Sequence, residues 1–315
     1  VKISRELASG ANPLAHYDQM VFRCRSLGAA TEFSGFRAER LPKQADPHGP
    51  GGGDDGNTDR ESRLYYVKGE GAPLILLHEL PGLSRQTFAL ADYFVQRGFR
   101  VSLPLLFGKA GDCSVLSGTV TICLRQELRQ LWFGTDTAIT AWVRQLAAQE
   151  LKRYQWHHPE VCRVGVIGMC YSGSMVLGLM LKDENDNKHE KHEGEASPLL
   201  APVLAQPSAC YPRHALNQIS EHGSRGPALA LRFEKDWICR ESQLTSLEQA
   251  FAACAARDPS QALTVVEFEG KRKQHSTLVY DYDQTNPFRR DIRSGQWLDA
   301  REVVFQFLRN QMGVP

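Results

Sequence analysis

From residue 63 onward, short apolar runs alternate with segments of helical period. Leu74-Ile75-Leu76-Leu77 is a continuous apolar run, as expected of a strand covered on both faces. After Pro81-Gly82, Ser84 is placed to cap a helix reaching about residue 97. Phe88, Ala91, Phe94 and Val95 share one face of it, and Gly98 ends it. Residues 100–103 predict the next strand, closed by Pro104. In the segment 136–153, Ile139, Trp142, Val143, Leu146 and Ala147 recur at the spacing of a buried helix face. Strands are predicted again at 164–167, 199–204, 228–233 and 263–268. Helices are predicted at 174–181, between the last two strands, and at about 298–312, where Val303, Val304, Phe307 and Leu308 face inward.

Repeated strand-helix units imply an α/β fold, a mostly parallel sheet with helices on both faces. Ligands in such sheets bind beyond the carboxyl ends of the strands. Other segments do not fit the alternation. Residues 1–62 read as an N-terminal extension. They show no sustained period up to about residue 45, and a loop dense in Gly and Pro follows at 46–57. Residues 63–315 form the predicted domain. Residues 182–197 carry six acidic, three basic and two His side chains and read as a surface insertion; 113–133 also looks like an addition.

Composition narrows the partners. With 37 basic against 36 acidic residues among 315, the chain offers no basic field for a phosphate backbone, so nucleic acid is not an expected partner. No apolar run approaches the ~20 residues of a membrane span, and the first twenty residues lack the pattern of a secretory signal. Eight scattered cysteines without a CxxC pair suit a reduced, cytoplasmic chain rather than a disulfide scaffold.

One cysteine stands apart. The strand ending in Val164-Gly165-Val166-Ile167 runs into Gly168-Met169-Cys170-Tyr171-Ser172-Gly173 and then directly into a helix. This is a cysteine form of the nucleophile elbow, a tight turn that demands small residues at Gly168 and Ser172. The helix that follows aims its N-terminal dipole at the sulfur and favours thiolate. Ser172 is a rival nucleophile, two residues farther on and already at the helix. For the base, His275 follows the strand 263–268 and holds the expected place in the order nucleophile, acid, His. His189 and His192 lie in the charged insertion, and His214 and His222 in a polar stretch with no strand leading into either. For the acid, Asp236 ends the strand 228–233, with Glu234 read as solvated or paired. Glu79, in His78-Glu79-Leu80-Pro81-Gly82 after the first strong strand, is an unusual charge to bury beside a thiol, since it would raise the thiol pKa.

Together, Leu77-His78-Glu79-Leu80-Pro81-Gly82-Leu83, Gly168-Met169-Cys170-Tyr171-Ser172-Gly173, Phe233-Glu234-Lys235-Asp236 and His275 resemble the dienelactone hydrolase family over roughly residues 63–312. The resemblance implies an α/β-hydrolase fold and a triad of Cys170, His275 and Asp236. It gives Glu79 a part in switching the thiolate on, and the backbone N–H groups of Leu80 and Tyr171 the oxyanion hole. The chain departs from the family where Ser172 replaces a glycine, where Phe233 ends the Asp strand, and at Leu105-Leu106-Phe107-Gly108-Lys109, which lacks the family's substrate-binding Arg. The expected activity is hydrolysis of a small-molecule ester or lactone through an acyl-enzyme, with no metal or organic cofactor required. Thioester hydrolysis or acyl transfer, and a non-catalytic binding protein of the same fold, are the alternatives.

Overall fold

The computed structural model describes residues 35–42, 62–80, 82–108, 110–111, 138–181, 198–207, 211 and 213–314. The glycine-rich loop, the two insertions, His189 and His192 lie outside them. The strands are β1 (Arg37–Pro42), β2 (Ser62–Lys68), β3 (Ala72–Leu77), β4 (Phe99–Pro104), β5 (Arg163–Met169), β6 (Leu199–Ala205), β7 (Ala228–Phe233) and β8 (Leu263–Phe268). They form one sheet in the order β1-β2-β4-β3-β5-β6-β7-β8. From β4 to β8 every pairing is parallel; β1 and β2 join antiparallel at one edge.

Helices α1 (Arg85–Val95), α2 (Ala138–Gln155), α3 (Gly173–Met180), α4 (Arg213–His222), α5 (Glu241–Ala255) and α6 (Ala300–Met312) cover the sheet. Strand alternation divides the core in two. Ile75 and Leu77 of β3 face the apolar stripes of α2 to α5, whereas Leu74 and Leu76 face those of α1 and α6. Gly165 lets α6 lie directly on β5, because a Cβ there would meet Leu74 Cδ1 at 2.8 Å and Leu308 Cδ2 at 3.0 Å. Ser84 caps α1 as predicted, accepting from the Thr87 amide at 3.3 Å, and Gly98 closes it at φ +88°. The five apolar positions of α2 are all buried.

Three elements differ from the sequence expectation. β1 lies within residues that show no sustained period; its pairing with β2 runs from Arg37 opposite Val67 to Pro42 opposite Ser62. The polar stretch holding His214 and His222 is helix α4, which buries only Ala215 and Ile219. The last helix begins at Ala300, because Leu298 belongs to a short strand, β10 (Trp297–Asp299). That strand pairs antiparallel with β9 (Phe288–Arg290), and Asp299 caps α6.

Sheet register places the chemistry. Leu77 of β3 lies opposite Gly168 of β5, so the residues after β3 emerge beside the elbow. Met169 pairs with Ala205, which brings Gln206 to the other side of Cys170. Phe233 pairs with Phe268, so the loops after β7 and β8 leave together. With the segment after β4, six loops converge at one carboxyl edge, as the strand-helix pattern predicts.

Candidate active site

Cys170 sits directly after β5 with φ +52°, a left-handed conformation that only a constrained turn imposes on a side chain. Such strain costs about 1–3 kcal/mol and persists only where the surroundings over-determine it. Here Ser172 does so. Its buried hydroxyl accepts from the Met169 amide at 2.9 Å and lies 3.0 Å from the Leu77 and Met169 carbonyls, to which it donates. Ser172 therefore ties the elbow to the end of β3 and has its hydroxyl engaged on backbone. Gly168 is obligatory, since a Cβ would meet the Ser172 carbonyl oxygen and Val176 Cγ2 at 2.5 Å. A Cβ at Gly173 would likewise meet Pro207, at 2.8 Å.

Across from the sulfur lies His275, buried, on the long loop after β8. Its Nδ1 is 2.5 Å from Asp236 Oδ2. The other Asp236 oxygen accepts from the Ile238 and Cys239 amides at 2.8 and 3.1 Å, which fixes the carboxylate. The His loop is held by Asp281, whose Oδ2 accepts from the His275 and Ser276 amides at 2.8 and 2.9 Å. Burial disfavours charge on the imidazole, but the Asp236 carboxylate and the Cys170 sulfur beside it outweigh that and raise the His275 pKa well above its ordinary value.

Glu79 completes the cluster. One carboxylate oxygen of Glu79, Sγ of Cys170 and a ring nitrogen of His275 lie within 4.8 Å of one another, all three residues being buried. The chain holds this carboxylate with neutral donors. Ser276 Oγ donates to Glu79 Oε1 at 2.5 Å, and Gln206 Nε2 reaches Oε2 at 3.5 Å. Gln206 itself stands at φ +39°, its Oε1 accepting from the Thr277 amide and hydroxyl at 3.2 and 2.5 Å. Burial dominates, raising the Glu79 pKa to about 7 against the opposing hydrogen bond from Ser276 and the charge of His275. Glu79 is therefore divided between acid and carboxylate near neutral pH.

The adjacent His78 has a different task. Its Nε2 accepts from the Leu106 amide at 3.1 Å, so Nδ1 carries the proton and donates to the Glu79 carbonyl at 3.2 Å. Burial holds its pKa down at about 4, and the neutral ring locks the loop after β3 against the segment after β4. Phe107 from that segment meets His78 edge-on at 4.6 Å and Tyr171 at 6.3 Å, so aromatic surface borders the elbow.

The structure thus brings Cys170, His275, Asp236 and Glu79 together, with Leu80 and Tyr171 buried in the two loops that meet at the sulfur. Glu234 pairs with Lys235 at 2.9 Å. His214 and His222 lie exposed on α4. Gln206, Ser276, Thr277 and Asp281 escaped the sequence reading. The available signals were that Gln206 directly follows a strand at the carboxyl edge and that Ser276 directly follows the candidate base.

A model of the dienelactone hydrolase family matches residues 64–258. Among solved structures, a protein assigned as a dienelactone hydrolase from Klebsiella pneumoniae subsp. pneumoniae MGH 78578 is similar with a TM-score of 0.52 at 14% identity, over 89% of this chain and 99% of that one. That likeness shows a shared fold. A dienelactone hydrolase-like promiscuous phosphotriesterase from metagenomic libraries gives 0.49 at 15% identity, over 89% and 98%. No curated protein matches the sequence.

Proposed function

The chain belongs to the dienelactone hydrolase family, and from that premise we propose that it hydrolyses small-molecule esters or lactones through Cys170. The observation that carries the reading is the convergence of Cys170, His275 and Glu79 within 4.8 Å at the carboxyl edge of the sheet, with Asp236 behind the imidazole.

In this mechanism the Cys170 thiol passes its proton to His275, and the thiolate attacks the substrate carbonyl. Asp236 holds the imidazole by Nδ1, so the opposite nitrogen faces the sulfur, and it stabilises the imidazolium. The amides of Leu80 and Tyr171 receive the oxyanion of the tetrahedral intermediate. His275 then protonates the leaving alcohol and later activates the water that releases the acid from Cys170. Glu79, shared between charged and neutral forms, takes part in the resting proton arrangement around the sulfur and in releasing the thiolate when substrate enters. The Phe107 and Tyr171 rings favour a substrate with an apolar body beside its carbonyl. The eight scattered cysteines, without a CxxC pair, support a reducing, cytoplasmic setting. Among the described residues no helix is long and apolar enough to cross a membrane.

Turnover of a panel of aryl esters and lactones by the wild type and by Cys170→Ala tests the proposal. The variant is expected to lose at least about 10³-fold in kcat/KM; full activity in the variant overturns the assignment.

A further inference from the structure

The same cluster has a second chemical capacity. We propose that Glu79, Cys170 and His275 form a binding site for Zn²⁺ or a similar thiophilic divalent ion, and that the metal-bound protein is a reversibly silenced state.

The three residues offer one carboxylate oxygen, one sulfur and one imidazole nitrogen within 4.8 Å of one another. A tetrahedral zinc ion with bonds of about 2.0–2.3 Å sets its ligand atoms roughly 3.4–3.7 Å apart. The observed donors, within 4.8 Å of one another, would have to draw together by at most about 1.4 Å to reach that spacing. Three protein ligands leave a fourth position for water or a small anion. The mixed donor set selects the ion: a thiolate and an imidazole suit zinc, cobalt or cadmium, whereas magnesium and calcium demand more oxygens than the site contains.

The outer hydrogen bonds are already those that zinc sites use. His275 gives Nδ1 to Asp236 at 2.5 Å, which turns Nε2 toward the sulfur and the would-be metal. Asp236 is fixed in turn by two amides, at 2.8 and 3.1 Å. Glu79 is oriented by Ser276 Oγ at 2.5 Å and by Gln206 at 3.5 Å. Binding forms metal–sulfur, metal–nitrogen and metal–oxygen bonds. It displaces to solvent the thiol proton and any proton held by Glu79 or by Nε2, with no change of oxidation state. The silencing follows from the proposed hydrolase mechanism, since the ion occupies both the sulfur lone pair and the nitrogen that accepts its proton. The binding itself rests on geometry alone.

Cobalt provides a readout independent of turnover. Titration of the full reduced chain with Co²⁺ is expected to give a thiolate-to-metal charge-transfer band in the near ultraviolet that saturates at one equivalent. Zn²⁺ is expected to displace it and Mg²⁺ to leave it unchanged. Cys170→Ala is expected to abolish the band, and Asp236→Asn to weaken cobalt affinity by about 10–100-fold. If Cys170→Ala does not fold, His275→Gln serves in its place, with the same expected loss of affinity. Ester hydrolysis, where present, should fall with zinc occupancy and return on chelation. No band in the wild type, or a band of equal strength in Cys170→Ala from another of the eight cysteines, overturns the site. Zinc bound at one equivalent with hydrolysis unaffected overturns the silencing. A cobalt band in a protein that hydrolyses nothing leaves the metal site standing and sinks only the hydrolase reading.

Discussion

Glu79→Gln isolates the thermodynamic consequence of burying a carboxylate beside the thiol. The Glu79 pKa rises from an ordinary 4.5 to about 7 in the folded protein, chiefly because burial disfavours its charged form. The sign follows from proton linkage. A raised carboxyl pKa means that the folded state keeps a proton the unfolded chain releases. Its contribution is therefore complete below about pH 4.5, declines as pH rises, and levels off above about pH 7. At about 1.36 kcal/mol per pKa unit, ionisation of Glu79 costs the folded state about 3 kcal/mol at neutral pH.

Glutamine has nearly the same shape and still accepts from Ser276, but it does not titrate. Any fixed effect, such as the meeting of its amide with Gln206, is independent of pH. Urea unfolding of both proteins at about pH 5 and about pH 7.5 then gives a difference of differences from which other groups cancel. The variant is expected to gain about 2 kcal/mol on the wild type between those two conditions. A gap that stays constant with pH would show that Glu79 ionises as an ordinary carboxylate, and the argument for its switching role would fail with it.

Other expectations follow from the same contacts. Asp236→Asn should lower kcat by about 10³–10⁴-fold with little change in KM, because it removes the partner that sets the His275 tautomer; steady-state kinetics on an activated ester measures this. Ser172→Ala should lose about 1–3 kcal/mol of stability, because a buried amide and two carbonyls lose their shared partner. Its folded fraction should keep the nucleophile, and a loss of turnover matching that of Cys170→Ala would reinstate Ser172 as the attacking group. Gly168→Ala should destabilise by at least about 1–3 kcal/mol, seen as a lower unfolding midpoint, because the new methyl has backbone and Val176 at 2.5 Å.

Cys170, Asp236 and His275 were legible because each follows an apolar strand, and parallel strands deliver their carboxyl ends to one edge. Local pattern and topology agree there, so the order along the chain suffices to assemble them. The partners of Glu79 were not legible. Ser276 and Gln206 are ordinary polar residues until β6 pairs with β5 and the loop after β8 folds back over the sheet. In the sequence Glu79 has a role only through the family resemblance, and tertiary closure supplies the donors that hold it. The same distinction holds for the missed elements. β1, read Arg-Ala-Glu-Arg-Leu-Pro, is an edge strand with Arg37, Ala38 and Arg40 exposed, and α4 buries two residues of ten. β1 has too little apolar alternation to be recognised, and α4, although amphipathic, is short and carries only Ala215, Leu216 and Ile219 as apolar positions. His78, by contrast, drew attention through its neighbour, and its neutral ring is a structural pin between two loops.

In the proposed mechanism Cys170 carries the acyl group. Incubation with an activated ester, acid quenching within the first turnover and peptide mapping by mass spectrometry test this directly. An acyl adduct on Cys170 that forms and decays at rates consistent with turnover is expected. An adduct on Ser172 or another residue, or steady hydrolysis by Cys170→Ala, would contradict it.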